Sequence, residues 1–391
     1  MKIYEYTSQE VNEVIPFRNQ TFGQISQEHW EAMNCTAVVA RQDDRLVGFI
    51  PLQYREQCLN PHVTIPVVYE NAVGVAQDRR GQGIGTAMIE KAARFISDRA
   101  DALMVIRGGE QSIGYRFYRK TGHSDLVYAR QYTLPPETRL PCGHAQEIRT
   151  LDRQAWTALE PQLLALYQTQ YGRFGGGQQR KPGYWDTILN GHVYRERTWS
   201  LVVLMSGTDR MAGYMAAVQG MASPSQETYV YEVVGKSDSV VEQLLGHART
   251  LSENGTVIVP QVSLANPVCA TLERLGFVAG ESTSQIMARI LRPDRIFGRL
   301  AADTDLLDTL SLTVSTPHRT LVVNEPAQPR YRVHLQTKEA FLSRLFCCRL
   351  DLAAAIEMEL VRWNGHDDGL KRTLSQVFEF SEWVQWFSDY V

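Results

Sequence analysis

Residues 73–86 read VGVAQDRRGQGIGT, an apolar alternation that leads directly into two arginines and three glycines. The alternation predicts a strand, and the residues that follow carry a helically spaced apolar face at Ala87, Ile89, Ala92, Ala93 and Ile96. Glycines between a strand and a helix let a ligand approach the backbone closely, and the first N–H groups of a helix have no intrahelical partners. Because such N–H groups bind anions, the stretch predicts a phosphate-binding turn.

The spacing of the glycines excludes two common phosphate-binding motifs. A nucleotide P-loop has a lysine after its last glycine, whereas Thr86 follows Gly85 here. A dinucleotide-binding turn has the order GxGxxG, which this sequence lacks. The order that fits is Arg80-x-x-Gly83-x-Gly85. It resembles the R/Q-x-x-G-x-G/A segment of the GCN5-related N-acetyltransferase (GNAT) superfamily.

The resemblance implies that acetyl-coenzyme A is the co-substrate and that no metal takes part. It places the coenzyme's pyrophosphate on the turn formed by Arg80, Gly81, Gln82, Gly83, Ile84, Gly85 and Thr86. It also implies that the preceding strand, with Val73 and Val75, splays from its neighbour and donates one N–H group to the thioester carbonyl.

A second family segment lies at residues 118–123, YRKTGH. Tyr118 stands at the position of the tyrosine in the family's lYeklGF segment, which implies that its hydroxyl reaches toward the coenzyme sulfur. A phenol with an ordinary pKa of about 10 can protonate a departing thiolate. A core tyrosine without a catalytic role is the alternative, and Tyr115, one helical turn earlier, is a rival for the same role.

Two short motifs occur twice in the same order. DRLVGF (44–49) reappears as DRMAGY (209–214), and YRKTGH reappears as LERLGF (272–277). The repetition predicts two copies of one fold. The second copy has VVGKSDSVVEQLL (233–245) in place of the glycine turn, so we expect it neither to bind coenzyme nor to catalyse. Leu272 replaces Tyr118 in that copy.

Three other segments carry local predictions. Asp43-Asp44 lies between apolar alternations and predicts a tight turn between two strands within 36–54. The glycine-rich GRFGGGQQRKPGYW (172–185) predicts a mobile surface loop, with a substrate gate as the alternative. Six aromatic residues within the last fourteen predict a docked tail, because so much apolar area is unfavourable in water; they are Phe378, Phe380, Trp383, Trp386, Phe387 and Tyr390.

The chain changes character after residue 288. Residues 288–300 predict a connecting segment, 310–325 and 330–336 predict strands, and 351–365 predict a helix that ends at Asn364-Gly365. An active copy, a degenerate copy and a small C-terminal domain resemble the enhanced-intracellular-survival (Eis) acetyltransferases, whose third domain is similar to sterol carrier proteins.

The predicted fold class is therefore α+β, with tandem GNAT-type mixed sheets flanked by helices and a small sterol-carrier-like C-terminal domain. The predicted boundaries are 1–145, 146–288 and 289–391. The resemblance also implies a homo-oligomer, with a hexamer as a form the family adopts.

The resemblance further implies that the C-terminus returns to the active site. There the carboxylate of Val391 would help to accept the amine proton through water. Glu70, on the coenzyme-binding strand, is the alternative base. We rank it lower because strand alternation places it on the opposite face from Val75 unless a bulge intervenes.

Composition limits the remaining possibilities. A hydrophobic content of 44% and a charged content of 21% are those of a soluble globular protein. The net charge of -3 gives no reason to expect nucleic acid or an anionic membrane as a partner. Six scattered cysteines without metal-ligand spacing predict buried free thiols, and the N-terminal residues do not resemble a signal peptide. These features predict a cytoplasmic protein.

The sequence thus predicts an acetyl-coenzyme A-dependent N-acetyltransferase that works by direct attack of a neutral amine. The acceptor would be a small polyamine-like or aminoglycoside-like molecule or a lysine side chain. The alternative is a non-catalytic acyl-coenzyme A or lipid-binding protein that uses the sterol-carrier-like domain. Tandem chemistry of the mycothiol-synthase kind is a third possibility, against which the extra C-terminal domain argues.

Overall fold

The computed structural model describes residues 1–22, 27–32, 35–71, 73–106, 109–138, 147–190, 198–207, 210–219 and 227–390. The chain forms two compact units. The first comprises Met1–Val127 and Ser284–Glu382, and the second comprises Tyr128–Thr283 and Trp383–Val391. The division into three domains stays a prediction.

The N-terminal part of the first unit contains the predicted hairpin. Its elements are β1 (Lys2–Glu5), α1 (Val11–Phe22), α2 (Gln27–Ala32), β2 (Thr36–Gln42), β3 (Arg45–Cys58), β4 (Thr64–Glu70), β5 (Gly74–Val75), α3 (Ile84–Ile96), β6 (Ala102–Ile106), α4 (Ile113–Lys120) and the start of β7 (Ser124–Leu134). Asp43 and Asp44 connect β2 to β3 with φ angles of 53° and 58°. Two positive φ angles are what a two-residue type I′ hairpin turn requires, so the predicted turn is confirmed.

The second copy has a similar order of elements, with three helices after its first strand, and its last strand lies in the first unit from Ser284 onward. After β7 come β8 (Glu147–Leu151), α5 (Arg153–Ala158), α6 (Glu160–Tyr171), α7 (Tyr184–Asn190), β9 (Thr198–Met205), β10 (Met211–Gln219), β11 (Thr228–Gly235), α8 (Asp238–Thr250), β12 (Val257–Ser263), α9 (Val268–Arg274), β13 (Val278–Ala279) and β14 (Thr283–Ile290). The strand order β8-β9-β10-β11-β12 matches β1-β2-β3-β4-β6 of the first unit.

The register of the two sheets agrees at the repeated motif. Gly48 of the first copy pairs with Val75, and Gly213 of the second copy pairs with Gly235. In both copies a helix comes next, α3 after the glycine turn and α8 after two residues. The predicted tandem fold is therefore confirmed.

Each copy's last strand pairs in the other copy's sheet. Strand β14, the last strand of the second copy, lies antiparallel to β6, with Ile286 opposite Ile106 and Ile290 opposite Ala102. Strand β7, the last strand of the first copy, lies antiparallel to β12. This exchange explains why the unit boundaries fall at residues 127 and 284, inside or next to these strands.

Helix α3 buries one face against the first sheet. Its buried residues are Ile84, Met88, Ile89, Ala92, Ala93 and Ile96. The predicted face is confirmed except at Ala87, which is half-buried while its neighbour Met88 is fully buried. The Met88 side chain occupies the space above Gly48, where an added Cβ would lie 2.7 Å from the Met88 sulfur. The long, flexible methionine therefore fills the gap that the glycine leaves.

The C-terminal part of the first unit has a four-stranded sheet in the order β16-β15-β17-β18. Its elements are α10 (Pro293–Leu300), α11 (Leu306–Thr309), β15 (Leu310–Ser315), β16 (Thr320–Asn324), β17 (Tyr331–Thr337), α12 (Glu339–Phe346), α13 (Leu352–Glu357), β18 (Val361–Trp363) and α14 (Asp368–Val377). The strands predicted within 310–336 are confirmed.

Two predictions for this segment are wrong. The predicted connection at 288–300 contains the end of β14 and a helix, α10, whose first residue is the proline that helix starts tolerate. The helix predicted to continue to Asn364 ends at Glu357 instead. Glu359 takes a φ angle of 58°, and the β-branched and aromatic residues Val361 and Trp363 pair with β17.

Two arginines of α12 and its C-terminal turn bind the start of β7. The Arg344 Nε donates to the carbonyl oxygen of Asp125 at 3.0 Å, and the Arg349 Nε donates to the carbonyl oxygen of Leu126 at 3.1 Å. The C-terminal segment thus holds the strand that follows α4.

The cysteines in the described ranges are free thiols. Cys347 and Cys348 are buried, and Cys35, Cys58 and Cys269 are half-buried. Burial raises the pKa of Cys35 to about 12, so this thiol is protonated at neutral pH. Cys142 lies outside the described residues.

None of the helices that the structure describes is both long enough and apolar enough to span a lipid bilayer.

Candidate active site

The glycine turn lies between β5 and α3. Gly81 and Gly83 have φ angles of 77° and 79°, in the left-handed region that favours glycine. A Cβ added at either position would meet no atom within 4 Å. These glycines are therefore required by the backbone and leave open space beside it. Gly83 is the N-cap of α3, so the first N–H groups of the helix adjoin this space.

A cavity of about 930 Å³ opens at this turn. The predicted residues that line it are Val73, Val75, Arg80, Gly81, Gly83, Ile84, Gly85, Thr86 and Tyr118. Gln82 is exposed and does not belong to the cavity wall. The wall also contains residues that were not predicted, namely Thr21, Arg79, Gln111, Ser112, Gly114, Arg116, Phe117 and Lys120. The structure thus brings the turn and α4 together around one space.

The strand before the turn parts from β6. Strand β4 pairs with β6 as far as Glu70 opposite Val105, whereas β5 pairs with β3. The N–H group of Ala76 donates to the carbonyl oxygen of Val47 on β3 at 2.9 Å. Because N–H groups alternate between the two edges of a strand, that of Val75 points away from β3. It faces an edge at which β5 has no partner strand in the described part of the chain.

A bulge lies between Glu70 and the turn. Leu52 pairs with Glu70, and Phe49 pairs with Gly74. Three steps along β3 (52 − 49) therefore match four steps along the other strand (74 − 70), which leaves one extra residue. The bulge resets the alternation that placed Glu70 opposite to Val75. Glu70 is 1% exposed and lies outside the cavity wall.

The two candidate tyrosines of α4 occupy different environments. Tyr118 is 1% exposed and lines the cavity. The Tyr115 hydroxyl donates to the Asp125 Oδ2 at 3.0 Å. Asp125 also accepts from the Ser284 hydroxyl at 2.6 Å and lies 3.4 Å from the Arg119 guanidinium. The Tyr115 side chain thus holds α4 through Asp125, outside the cavity wall, and Tyr118 is the tyrosine that lines the cavity.

The cavity is rich in positive charge. Arg79, Arg80, Arg116 and Lys120 all belong to its wall. The Arg80 Nε donates to the carbonyl oxygen of Val75 at 3.2 Å, which holds this side chain beside the strand. Two arginines next to free helix N–H groups suit a pyrophosphate. The arrangement fits the anionic coenzyme that the resemblance implies.

The corresponding turn of the second copy has a different construction. Only Lys236 and Ser237 separate β11 from α8. No glycine with positive φ lies in this stretch, all of which the structure describes. The Val240 side chain packs against Gly235, where an added Cβ would lie 2.9 Å from the valine Cγ1. Leu272, in place of Tyr118, is fully buried in the core. The absence of a coenzyme site in this copy stays a prediction.

The C-terminal tail packs within the second unit. Trp383 and Trp386 are 1% and 0% exposed. The Val384 N–H donates to the carbonyl oxygen of Gly175 at 2.9 Å. A Cβ on Gly176 would lie 2.6 Å from the Trp383 Cβ, so only glycine permits this approach. The predicted surface loop is therefore wrong at residues 175–177, which are buried under the tail.

A buried charge cluster fixes Asp389. Arg180 forms two hydrogen bonds with Glu232, at 2.6 and 2.8 Å, and one with the Asp389 Oδ1 at 3.0 Å. The three side chains are between 0% and 3% exposed. Burial alone would lower the pKa of Arg180, but the charges of Asp389 and Glu232 raise it well above its ordinary value. The Tyr184 hydroxyl also donates to Asp389, at 3.0 Å.

The tail is thus held by specific contacts as far as Asp389. Val391 lies outside the described residues, and the role of its carboxylate stays a prediction. The sequence offered no signal for the partnership of Arg180 with Glu232 and Asp389, because the three residues are far apart along the chain.

Comparison with known proteins supports the assignment of the first copy. Residues 4–123 match the acetyltransferase (GNAT) family. No curated protein matches this chain in sequence.

Three solved structures share the fold over nearly the whole chain. A conserved protein of Enterococcus faecalis V583, described as a "probable N-acyltransferase", has a TM-score of 0.72 at 14% identity, with 98% of each chain covered. A GCN5-related N-acetyltransferase from Anabaena variabilis has a TM-score of 0.70 at 15% identity, with 98% of this chain and 99% of that chain covered. Eis1 from Mycobacterium abscessus has a TM-score of 0.65 at 14% identity, with 98% of each chain covered.

At these identities the likeness establishes a shared fold. The chain carries an acetyltransferase domain of the GNAT family at residues 4–123, within a tandem fold similar to that of Eis1.

Proposed function

We propose that this protein transfers an acetyl group from acetyl-coenzyme A to a primary amine in a ternary complex. The observation that carries the proposal is the turn at Gly81 and Gly83, which opens into the 930 Å³ cavity that Tyr118 also lines. The free N–H groups of α3 and the Arg80 guanidinium bind the pyrophosphate. In this proposal the thioester end of the coenzyme lies along β5, whose Val75 lines the same cavity.

In the proposed reaction the amine nitrogen attacks the thioester carbonyl carbon. The N–H group of Val75, and that of Val73 as its alternative, donates to the carbonyl oxygen and stabilises the negative charge that develops there. The bond between carbon and sulfur then breaks, and the Tyr118 hydroxyl gives its proton to the departing thiolate. The amide product and coenzyme A are formed without a covalent enzyme intermediate.

The amine must lose a proton, and we propose the Val391 carboxylate as the acceptor, through a water molecule. The contacts that hold Trp383–Asp389 support an ordered chain up to that point. Glu70 is the alternative base. The bulge between Glu70 and Gly74 means that strand alternation no longer places Glu70 on the opposite face from Val75. The acceptor class comprises small polyamine-like or aminoglycoside-like molecules and lysine side chains.

The proposal includes three finer properties taken from the family resemblance and the composition. They are a homo-oligomeric state, with a hexamer as one form that the resemblance implies, a cytoplasmic location, and a sterol-carrier-like C-terminal domain. The net charge of -3 supports the absence of nucleic acid and membrane surfaces as partners.

The test is a screen of primary amines for thiol release from acetyl-coenzyme A. We expect release that depends on the amine, with an acetylated amine as the product by mass spectrometry. Quaternary ammonium analogues of the active amines serve as controls, since they have no lone pair. Tyr118→Phe should lower turnover by roughly 100-fold or more.

Tyr115→Phe is the matched variant. It removes the same hydroxyl from the same helix, away from the cavity, and turnover should stay within a few-fold of the wild type. Coenzyme binding without turnover of any amine would contradict the proposal and favour a non-catalytic acyl-coenzyme A-binding protein.

A further inference from the structure

Helix α4 carries three basic residues in its last five positions, and they do not share one environment. Arg116 and Lys120, four residues apart, lie on the same side of the helix and belong to the cavity wall. Arg119, between them, lies 3.4 Å from the Asp125 carboxylate and outside that wall. Two cations of α4 therefore face the cavity and one is engaged elsewhere.

The two cations that face the cavity are available to an anionic ligand. Both side chains are exposed, and neither has a carboxylate partner within 4 Å among the described residues. Like charges four residues apart on a helix repel each other. An anion held between Arg116 and Lys120 would remove this repulsion and gain two charge-assisted hydrogen bonds.

The pyrophosphate already has its own partners. The turn supplies the first N–H groups of α3, together with Arg79 and Arg80. Helix α4 packs directly on this turn, since a Cβ added at Gly85 would lie 3.2 Å from the Phe117 ring. Arg116 precedes Phe117 in the chain. The second pair of cations therefore lies close to the first phosphate site but on another element.

Coenzyme A carries one phosphate besides its pyrophosphate, the monoester on the ribose 3′ oxygen. Because the second pKa of a phosphate monoester is about 6, this group is largely dianionic at neutral pH. We propose that Arg116 and Lys120 form a subsite for the 3′-phosphate and make the protein select coenzyme A over its 3′-dephospho form. This inference rests on the proposed function, since it assumes that the cavity takes coenzyme A.

The test compares the affinities for acetyl-coenzyme A and 3′-dephospho-acetyl-coenzyme A by calorimetry. We expect the full chain to bind acetyl-coenzyme A roughly 10- to 100-fold more tightly, the scale of two hydrogen bonds to a charged group in an exposed site. The double variant Arg116→Gln with Lys120→Gln should bind the two ligands within about threefold of each other. Its affinity for the dephospho ligand should equal that of the wild type.

Arg119→Gln is the matched control, because it removes the same charge from the same helix outside the cavity. It should keep the wild-type preference. Equal binding of both ligands by the wild type would overturn the subsite. So would a double variant that loses affinity for both ligands alike, because the two cations would then serve the pyrophosphate. Binding of neither ligand to the wild type would overturn the proposed function as well, so the two failures are distinguishable.

Discussion

Replacing Gly83 by leucine should weaken acetyl-coenzyme A binding by roughly 100-fold or more, the loss expected when several hydrogen bonds to a charged group are removed. Gly83 is the N-cap of α3, and the space beside it is open. A leucine side chain would occupy that space, where the pyrophosphate is proposed to lie. Calorimetric titration of the variant measures the effect.

A second glycine serves as a control for the backbone strain that leucine introduces at Gly83. Gly207 has a φ angle of 76°, close to the 79° of Gly83, and an added Cβ there also meets no atom within 4 Å. Gly207→Leu therefore introduces the same backbone strain, about 1–2 kcal/mol, away from the cavity. Both variants should lose similar thermal stability, and Gly207→Leu should bind coenzyme normally. Equal affinities for Gly83→Leu and the wild type would exclude the turn as the pyrophosphate site.

Adding three glycines after Val391 should lower kcat by roughly 10- to 1,000-fold, the scale of losing one acid–base group or its water. The extension moves the terminal carboxylate but removes no side chain. The KM for acetyl-coenzyme A should stay within a few-fold, because the proposed coenzyme contacts lie on the turn and α4. Steady-state kinetics on an active amine measures both constants.

An extension is a cleaner test than a deletion because of Asp389. Removing Asp389–Val391 would also remove a partner of the buried Arg180. Breaking a buried ion pair costs about 3–5 kcal/mol, so lost activity would not be separable from lost stability. The extension keeps the contacts of Trp383–Asp389, and its melting temperature should match that of a variant with three glycines before Met1. Equal turnover of these two variants would assign the base to Glu70 or water.

Local patterns predicted the parts of the fold that depend on neighbouring residues. The hairpin at Asp43-Asp44 and the left-handed glycines of the turn follow from conformations that few residue types adopt. The tandem repeat was predictable because two short motifs recur in the same order. Gly122 and Gly276, the glycines of the second motif, take the same left-handed conformation in the two copies, with φ angles of 83° and 84°. Strand and helix types were predictable where the apolar spacing was long and regular.

Features that depend on distant partners were not predictable. A repeat shows which strands are equivalent but not which sheet each one joins, so the exchange of β7 and β14 left no signal. The glycines at 175–177 resemble those of a flexible loop, and only their contact with Trp383 shows why glycine is required. The helix predicted to reach Asn364 ends early because β17 offers Val361–Trp363 a pairing edge.

The candidate site also has residues that local sequence patterns predicted and residues that only the folded structure identifies. The conformation of the turn was predictable because left-handed backbone before a helix start favours glycine, as at Gly81 and Gly83. The binding of a phosphate there stays a prediction. Arg116 and Lys120 have the right spacing, but Arg119 lies between them. Only the packing of α4 shows that two of these three residues, Arg116 and Lys120, line the cavity. The bulge before Gly74, which changes the standing of Glu70, is visible only in the register with β3.

The central claim is that the first copy binds acetyl-coenzyme A and the second copy does not. Calorimetric titration of the full chain with acetyl-coenzyme A tests it most directly. We expect one molecule bound per chain, because the turn with the positive-φ glycines Gly81 and Gly83 and the cationic cavity beside it belong to the first copy. In the second copy only two residues connect β11 to α8. Two molecules per chain would contradict the loss of the second site, and no binding would contradict the assignment of the glycine turn.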